Sequence, residues 1–390
     1  MKKRFLSAGL AVVMAASLTA CGGSGSASTT TAAAGEAKAE GESKAAESSA
    51  AADGASFKIG GIGPVTGGAA VYGLAVQHGA EIAVKEINEA GGINGYPVEF
   101  QFQDDEHDAE KSVNAYNTLK DWGMQALMGT VTSAPCIAVA DKTAADNMFQ
   151  ITPSGSAVEC AANPNVYRVC YSDPAQGTAS AKYIGEHKLA SKVAVIYDSS
   201  DVYSSGIYEK FAQEAPNQGI EVVDAEAFTA DSNKDFSTQL QKAKESGAEL
   251  VFLPIYYTEA SLILQQANTM GFAPQFFGCD GMDGILQVQN FDVKLAEGLM
   301  LLTPFAADAT DDLTVKFVKS FEDAYGETPI QFAADAYDAM YILKAAMEGA
   351  MTKIKVDGLT GTNMTWTEDG EPEKDPKAVQ VVDGAYKAME

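Results

Sequence analysis

The chain has 390 residues, 46% hydrophobic and 21% charged, the balance of a globular protein, and its formal net charge is −26. That acidity excludes nucleic acid and anionic lipid surfaces as partners, because phosphate recognition needs a basic patch. His78, His107 and His187 are widely scattered and no Cys-x-x-Cys spacing occurs, so neither a metal site nor a cofactor is implied.

Lys2, Lys3 and Arg4 open the chain, a short apolar run from Phe5 to Ala16 follows, and small Ala20 precedes Cys21. This is the pattern of an export signal, and the apolar run is too short to span a bilayer. Leu18-Thr19-Ala20-Cys21 resembles the lipobox of bacterial lipoproteins. That resemblance implies removal of residues 1–20 and diacylglycerol on the Cys21 sulfur, anchoring the protein outside the cytoplasm. Residues 21–55 are almost wholly Gly, Ser, Thr, Ala, Glu and Lys; lacking core-forming side chains, they are expected to form a disordered tether.

The body from Phe57 to Glu390 is long enough for two domains. Phe57 to Ile62 reads as a strand ending at Gly63-Pro64, after which Val76, Ala80, Ala83 and Ile87 recur at helical spacing until Gly91-Gly92-Ile93-Asn94-Gly95. Val98, Phe100 and Phe102 alternate as in a half-buried strand, and Val113, Tyr116 and Leu119 mark the next helix. Further strands are expected at Ala126 to Gly129, Phe149 to Thr152, Val193 to Tyr197, Glu221 to Phe228, Leu250 to Leu253 and Gln275 to Gly278, with helical lengths between them. Strand and helix taking turns predicts an α/β fold of parallel sheets covered on both faces, and this many strands makes two sheets more economical than one.

Of the 5 cysteines, Cys136, Cys160, Cys170 and Cys279 remain beyond Cys21. Cys160 and Cys170 bracket a short loop and are the natural disulfide pair in an oxidising compartment; the alternative is that all four are small buried hydrophobes.

In such sheets ligands sit beyond the carboxyl ends of the strands. Thr130, Thr132 and Ser133 follow one strand, and Pro153-Ser154-Gly155-Ser156 follow the next. Both are hydroxyl-rich loops at or near a helix start, suited to a carboxylate, although Ser and Thr also serve as plain caps and turn formers. On later strand ends Asp280 can receive an ammonium, with Tyr203, Tyr256 and Tyr257 nearby in sequence order. An anion site on one sheet facing an acid and aromatics on another describes a clamp for an α-amino acid.

These residues carry a resemblance. Gly63-Pro64 with Thr66-Gly67 and Tyr72-Gly73, Ile87-Asn88 with Gly91 to Gly95, Asp104-Asp105, Ile151-Thr152-Pro153 and Lys234-Asp235-Phe236-Ser237 together make the mature body similar to the type I periplasmic binding proteins of branched-chain amino acid ABC importers. The resemblance implies two doubly wound parallel-sheet lobes joined by a hinge, the first from 57–172 plus 302–376 and the second from 173–301 plus 377–390. It implies that Ser133, with Ser154 and Ser156, holds the ligand carboxylate, that Tyr203, Tyr256 and Asp280 face it from the second lobe, and that Tyr72 and Phe332 supply pocket aromatics. The family's ammonium acid is usually glutamate, one methylene longer than Asp280. A disulfide that family members often carry between the loops holding His107 and Thr132 is absent here, and Cys160 with Cys170 is its candidate replacement. The implied partners are a small amino acid and an ABC permease, the implied state a monomer; relatives of the same fold take urea, short amides or aromatic acids, or act as receptor modules.

An enzyme would need a cofactor loop or a nucleophile. Gly61-Ile62-Gly63-Pro64-Val65-Thr66-Gly67 has superficial likeness to a dinucleotide fingerprint, but Pro64 and the extra residue before Gly67 spoil its turn. His107, the one histidine near the serine loops, is expected to be a solvated loop residue.

Overall fold

The computed structural model describes residues 55–349, 354–367 and 370–389, so the export signal, Cys21 and the tether through residue 54 lie outside the described residues. The chain begins with β1 (Phe57–Gly63), α1 (Ala70–Glu89), β2 (Val98–Asp104), α2 (Ala109–Trp122), β3 (Ala126–Gly129), α3 (Ser133–Ala145), β4 (Phe149–Thr152) and β5 (Val166–Arg168). The apolar stripe of α1 is the expected one: Val76, Ala80, Ala83 and Ile87 are fully buried. That helix stops where Gly91 and Gly92 take positive φ values of 103° and 78°. Helix α2 starts at an Asp108 cap whose carboxylate accepts from the Glu110 and Lys111 amides, and it ends on left-handed Gly123.

The five strands pair in parallel in the order β2-β1-β3-β4-β5. Ile59 of β1 sits opposite both Phe100 and Ala126, which places it in the sheet's centre, fully buried.

The second half repeats the plan with α4 (Asp173–Glu186), β6 (Lys192–Asp198), α5 (Val202–Glu214), β7 (Glu221–Phe228), α6 (Ser237–Glu245), β8 (Leu250–Leu253), α7 (Tyr257–Thr269), β9 (Gln275–Gly278) and β10 (Met300–Thr303). Its strands run β7-β6-β8-β9-β10, the same winding as the first sheet. Strand β8, Leu-Val-Phe-Leu, is buried along its whole length, as a run covered on both faces must be.

The chain then supplies α8 (Asp312–Tyr325) and α9 (Gln331–Glu348), and α9 packs along α1. The approach is close: a Cβ on Gly79 would lie 2.0 Å from the Ala333 carbonyl oxygen, so only glycine fits there. A small antiparallel sheet of β11 (Val356–Gly358), β12 (Gly361–Trp366) and β13 (Pro372–Glu373) follows. Finally β14 (Lys377–Val382) returns to pair antiparallel with β10, and β15 (Ala385–Ala388) pairs antiparallel with β14. The second sheet is therefore mixed at this edge, where a wholly parallel one was expected. The β14–β15 pair is a hairpin, which needs only a tight turn, whereas a parallel neighbour of β14 would need a crossover.

Candidate functional site

In a sheet of order 2-1-3-4-5 the crevice opens where the winding reverses, between the first and third strands. Both sheets have such a point, and the residues beyond the carboxyl ends of β3, β4, β6, β8 and β9 come together. Tyr72, Ser133, Ser154, Ser156, Tyr203, Tyr256, Asp280 and Phe332 all line one cavity, shared with Val131, Thr132 and Gly281. Tyr256 is half-buried and the other seven expected residues are buried.

The serines lie on two adjoining loops. Ser133 opens α3, and its Oγ accepts hydrogen bonds from the Ser156 amide at 3.2 Å and the Ala157 amide at 3.1 Å. Those bonds leave the Ser133 hydroxyl proton for an incoming acceptor. Ser154 differs: its hydroxyl donates to the Val131 carbonyl at 2.6 Å, so it ties the two loops together. Beneath them Arg168, fully buried, donates through its guanidinium to the carbonyls of Gly155 at 3.4 Å, Ser156 at 2.6 Å, Ala157 at 3.1 Å and Val158 at 3.2 Å, with Glu371 at 3.1 Å from its Nε. The start of α3 adds its N-terminal dipole to the serine side, while the Arg168 charge is itself paired with Glu371.

Asp280 sits opposite, just past β9. Its Oδ1 accepts from the Tyr203 hydroxyl at 2.7 Å and its Oδ2 from Gln176 Nε2 at 2.9 Å. Burial pushes its carboxyl up to about 6, against the lowering effect of those donors, so the ionised form is uncomfortable without a cation beside it. Burial also raises Asp173 and Asp201, and it holds Tyr72, Tyr203 and Tyr256 well above the usual phenol range, keeping all three protonated as donors. The aromatic wall is continuous. Tyr256 stacks on Tyr203 with centroids 4.9 Å apart, and Tyr72 meets Phe332 at 4.3 Å.

Contacts across the cleft draw the halves together. The Tyr72 hydroxyl donates to the Gly281 carbonyl at 2.5 Å, Thr258 Oγ1 to the Gly68 carbonyl at 2.9 Å, and the Val71 amide to the Tyr257 hydroxyl at 3.2 Å. The enclosed space is only about 10 Å³. That is about the room one water needs, so an amino acid can enter only if the halves part.

Two expectations change. The bridge between Cys160 and Cys170 is not formed; all four described cysteines are free and buried. Cys160 clusters with Cys136 on α3, away from Cys170, because its turn packs against that helix. His107 is no solvated loop residue: half-buried, it shares a 2.8 Å hydrogen bond between Nδ1 and Thr132 Oγ1 and sets its ring edge-on to Tyr256 at 5.6 Å. Gln176 and Gln331 went unread. Gln176 grips Asp280, and Gln331 Nε2 donates to the Asp280 carbonyl at 2.9 Å. Each lies in the first turn of a helix, where a polar residue reads as an ordinary terminus.

Comparison with known proteins adds four findings. The family model for periplasmic binding protein matches residues 56–385. The chain is 31% identical over 298 residues to a Leu/Ile/Val-binding protein homolog of Brucella melitensis, covering 76% of this chain and 80% of that one. A Pseudomonas aeruginosa protein that binds leucine, isoleucine, valine, threonine and alanine is 29% identical over 297 residues, with 76% and 79% covered. Among solved structures, the branched-chain amino acid transporter substrate binding protein LivJ of Streptococcus pneumoniae, in complex with isoleucine, superposes with a TM-score of 0.79 at 26% identity, covering 86% of this chain and 99% of that one.

Proposed function

This chain belongs to the periplasmic binding protein family, and from that premise we propose that it captures an amino acid, branched-chain or similarly apolar, outside the cytoplasm and delivers it to an ABC importer permease. The observation that carries the reading is the convergence of an oxygen-donor half-site and an acid on two different sheets around one cavity. Ser133 and the start of α3 would take the carboxylate, Asp280 the ammonium, with Tyr203 and Gln176 holding Asp280 in place. Tyr72, Tyr256 and Phe332 would line the side chain.

Binding rather than catalysis is the role, in keeping with relatives named as binding proteins. The lobes in this reading are 57–172 plus 302–376 and 173–301 plus 377–390. Because the half-sites lie on different lobes, a solute completes its hydrogen bonds only on closure, and the difference between open and closed affinities drives the hinge. Micromolar capture corresponds to about 8 kcal/mol, within reach of two desolvated charge-assisted contacts and apolar burial. A lipid on Cys21 would keep the monomeric body near its permease.

The test is isothermal calorimetry of the purified chain against leucine, isoleucine, valine, urea, short amides and benzoate. Saturable binding of an apolar amino acid is expected. Binding of benzoate or an amide with no amino acid bound would replace this reading.

A further inference from the structure

We propose that Gln331 is a positioning residue for the amino-acid site, holding the 280–283 turn of the second lobe from the first and mooring it to the strand exit after β10, so that the Asp280 carboxylate keeps its aim at the serine loops. The inference rests on the amino-acid reading and assigns to that site a residue outside the cavity wall. Gln331 opens α9, which packs along α1 in the first lobe, whereas Asp280 and Asp283 follow β9 of the second sheet.

The glutamine bonds both ends of the turn. Its Nε2 donates to the Asp280 carbonyl at 2.9 Å, and its backbone amide donates to Asp283 Oδ2 at 2.8 Å. Its Oε1 lies 3.1 Å from the hydroxyl of Thr303, the last residue of β10 and the point where the chain first leaves the second sheet. A carbonyl can only accept, so Nε2 must face Asp280 and the orientation of the side-chain amide is settled. At 1% exposure the side chain has no water to replace these partners.

Packing alone does not hold the turn. Asp280 also lines a second cavity, of about 300 Å³, together with Gln176, Leu302, Pro304, Gln331 and Pro376, so it stands between that space and the amino-acid cavity. Room behind a carboxylate lets it retreat, and polar tethers are then what fix its place. Gln176 and Tyr203 hold the carboxylate from within the second lobe, and Tyr72 reaches the Gly281 carbonyl from the first. Gln331 is the tether that joins the turn both to the first lobe and to the β10 exit.

The test pairs hydrogen exchange of the full chain, without solute, with calorimetry. Gln331→Met keeps the length of the side chain and removes both of its bonds, leaving the backbone bond to Asp283 in place. The Gly281, Met282 and Asp283 amides, held by the Tyr203 hydroxyl and the Cys279 and Asp280 carbonyls in turn, should exchange at least about tenfold faster in this variant, while the Phe252 amide in buried β8 keeps its rate. Thr303→Val, which frees the other end of the tether, should speed the same turn amides. Affinity for whichever of leucine, isoleucine and valine the wild type binds most tightly should fall about tenfold in Gln331→Met. Turn amides that keep the wild-type rate in either variant, equal acceleration at Phe252, or undiminished affinity in Gln331→Met would each overturn the role. A wild type that binds none of the three amino acids would overturn the amino-acid reading and this role with it, so the two failures are distinguishable.

Discussion

Tyr203 and Asp280 form one unit: the phenol donates to Oδ1 at 2.7 Å while its oxygen accepts from the Gly281 amide at 2.9 Å. A Cβ on Gly281 would lie 2.5 Å from that hydroxyl oxygen, so glycine is required for the turn to approach the ring. The arrangement aims a buried carboxylate from the second sheet at the serine loops of the first. Asp280→Asn should therefore cost about 2–5 kcal/mol of amino-acid binding, roughly 30-fold or more, read by calorimetry. Unchanged affinity would remove Asp280 from the site.

The serines should separate by role. Ser154→Ala breaks the bond to the Val131 carbonyl and should lower stability by about 1–3 kcal/mol in urea denaturation. Ser133→Ala strands two buried amides and takes away the spare donor, so both stability and affinity should fall. Ser156→Ala, whose side chain lines the cavity, should weaken binding more than it weakens the fold. Equal losses of stability in all three would make the loops purely structural.

The pH dependence has a definite sign. Burial lifts Asp105 to about 7 and both Asp280 and Asp283 to about 6, above an ordinary value of 3.8. The folded chain thus binds protons more tightly than the unfolded one. Their contribution to stability is fully present below the unfolded value and is lost progressively from about pH 4 until the folded values near 6 to 7 are passed, on the order of 3 kcal/mol in all for Asp280. Denaturation without ligand at pH 5 and pH 8 should show wild type minus Asp280→Asn shrinking or reversing at the higher pH; a difference independent of pH would refute the shift. Amino-acid affinity should run the opposite way, weakening below about pH 6 as Asp280 takes a proton and loses its attraction for ammonium.

Cys21→Ala should release the protein from membranes. The variant is expected in the supernatant after carbonate washing and the wild type in the pellet. Co-sedimentation of both would exclude a lipid anchor.

Much of this was legible from residue order because strand ends announce themselves. Ser133, Ser154 and Asp280 each follow a short apolar run, and a parallel sheet has to present those positions at one rim. The α1 stripe was equally plain, since Val76, Ala80, Ala83 and Ile87 keep one face at 3.6 residues per turn. Strand β10 escaped notice because Met-Leu-Leu-Thr, four residues with no alternation, is as compatible with a buried helical turn as with a strand. Strand β5 is shorter still, three residues containing a buried arginine. Gln176 and Gln331 could not be read at all, and His107, close to the serine loops in the chain, reads from sequence only as a solvated loop residue. Their importance lies in partners far along the chain, 104 residues away for the Gln176–Asp280 bond, and no local pattern encodes that distance.

Arg168 spends its fork on four successive carbonyls, so the peptide planes of 155–158 are turned with their oxygens downward before any solute arrives. The entropic cost of arranging that half of the receptor is met once, during folding, and not at every capture event. Attempts to retune which solute is accepted should consequently leave this arginine alone and redesign the aromatic side, because a change to the guanidinium would blunt recognition of every carboxylate alike.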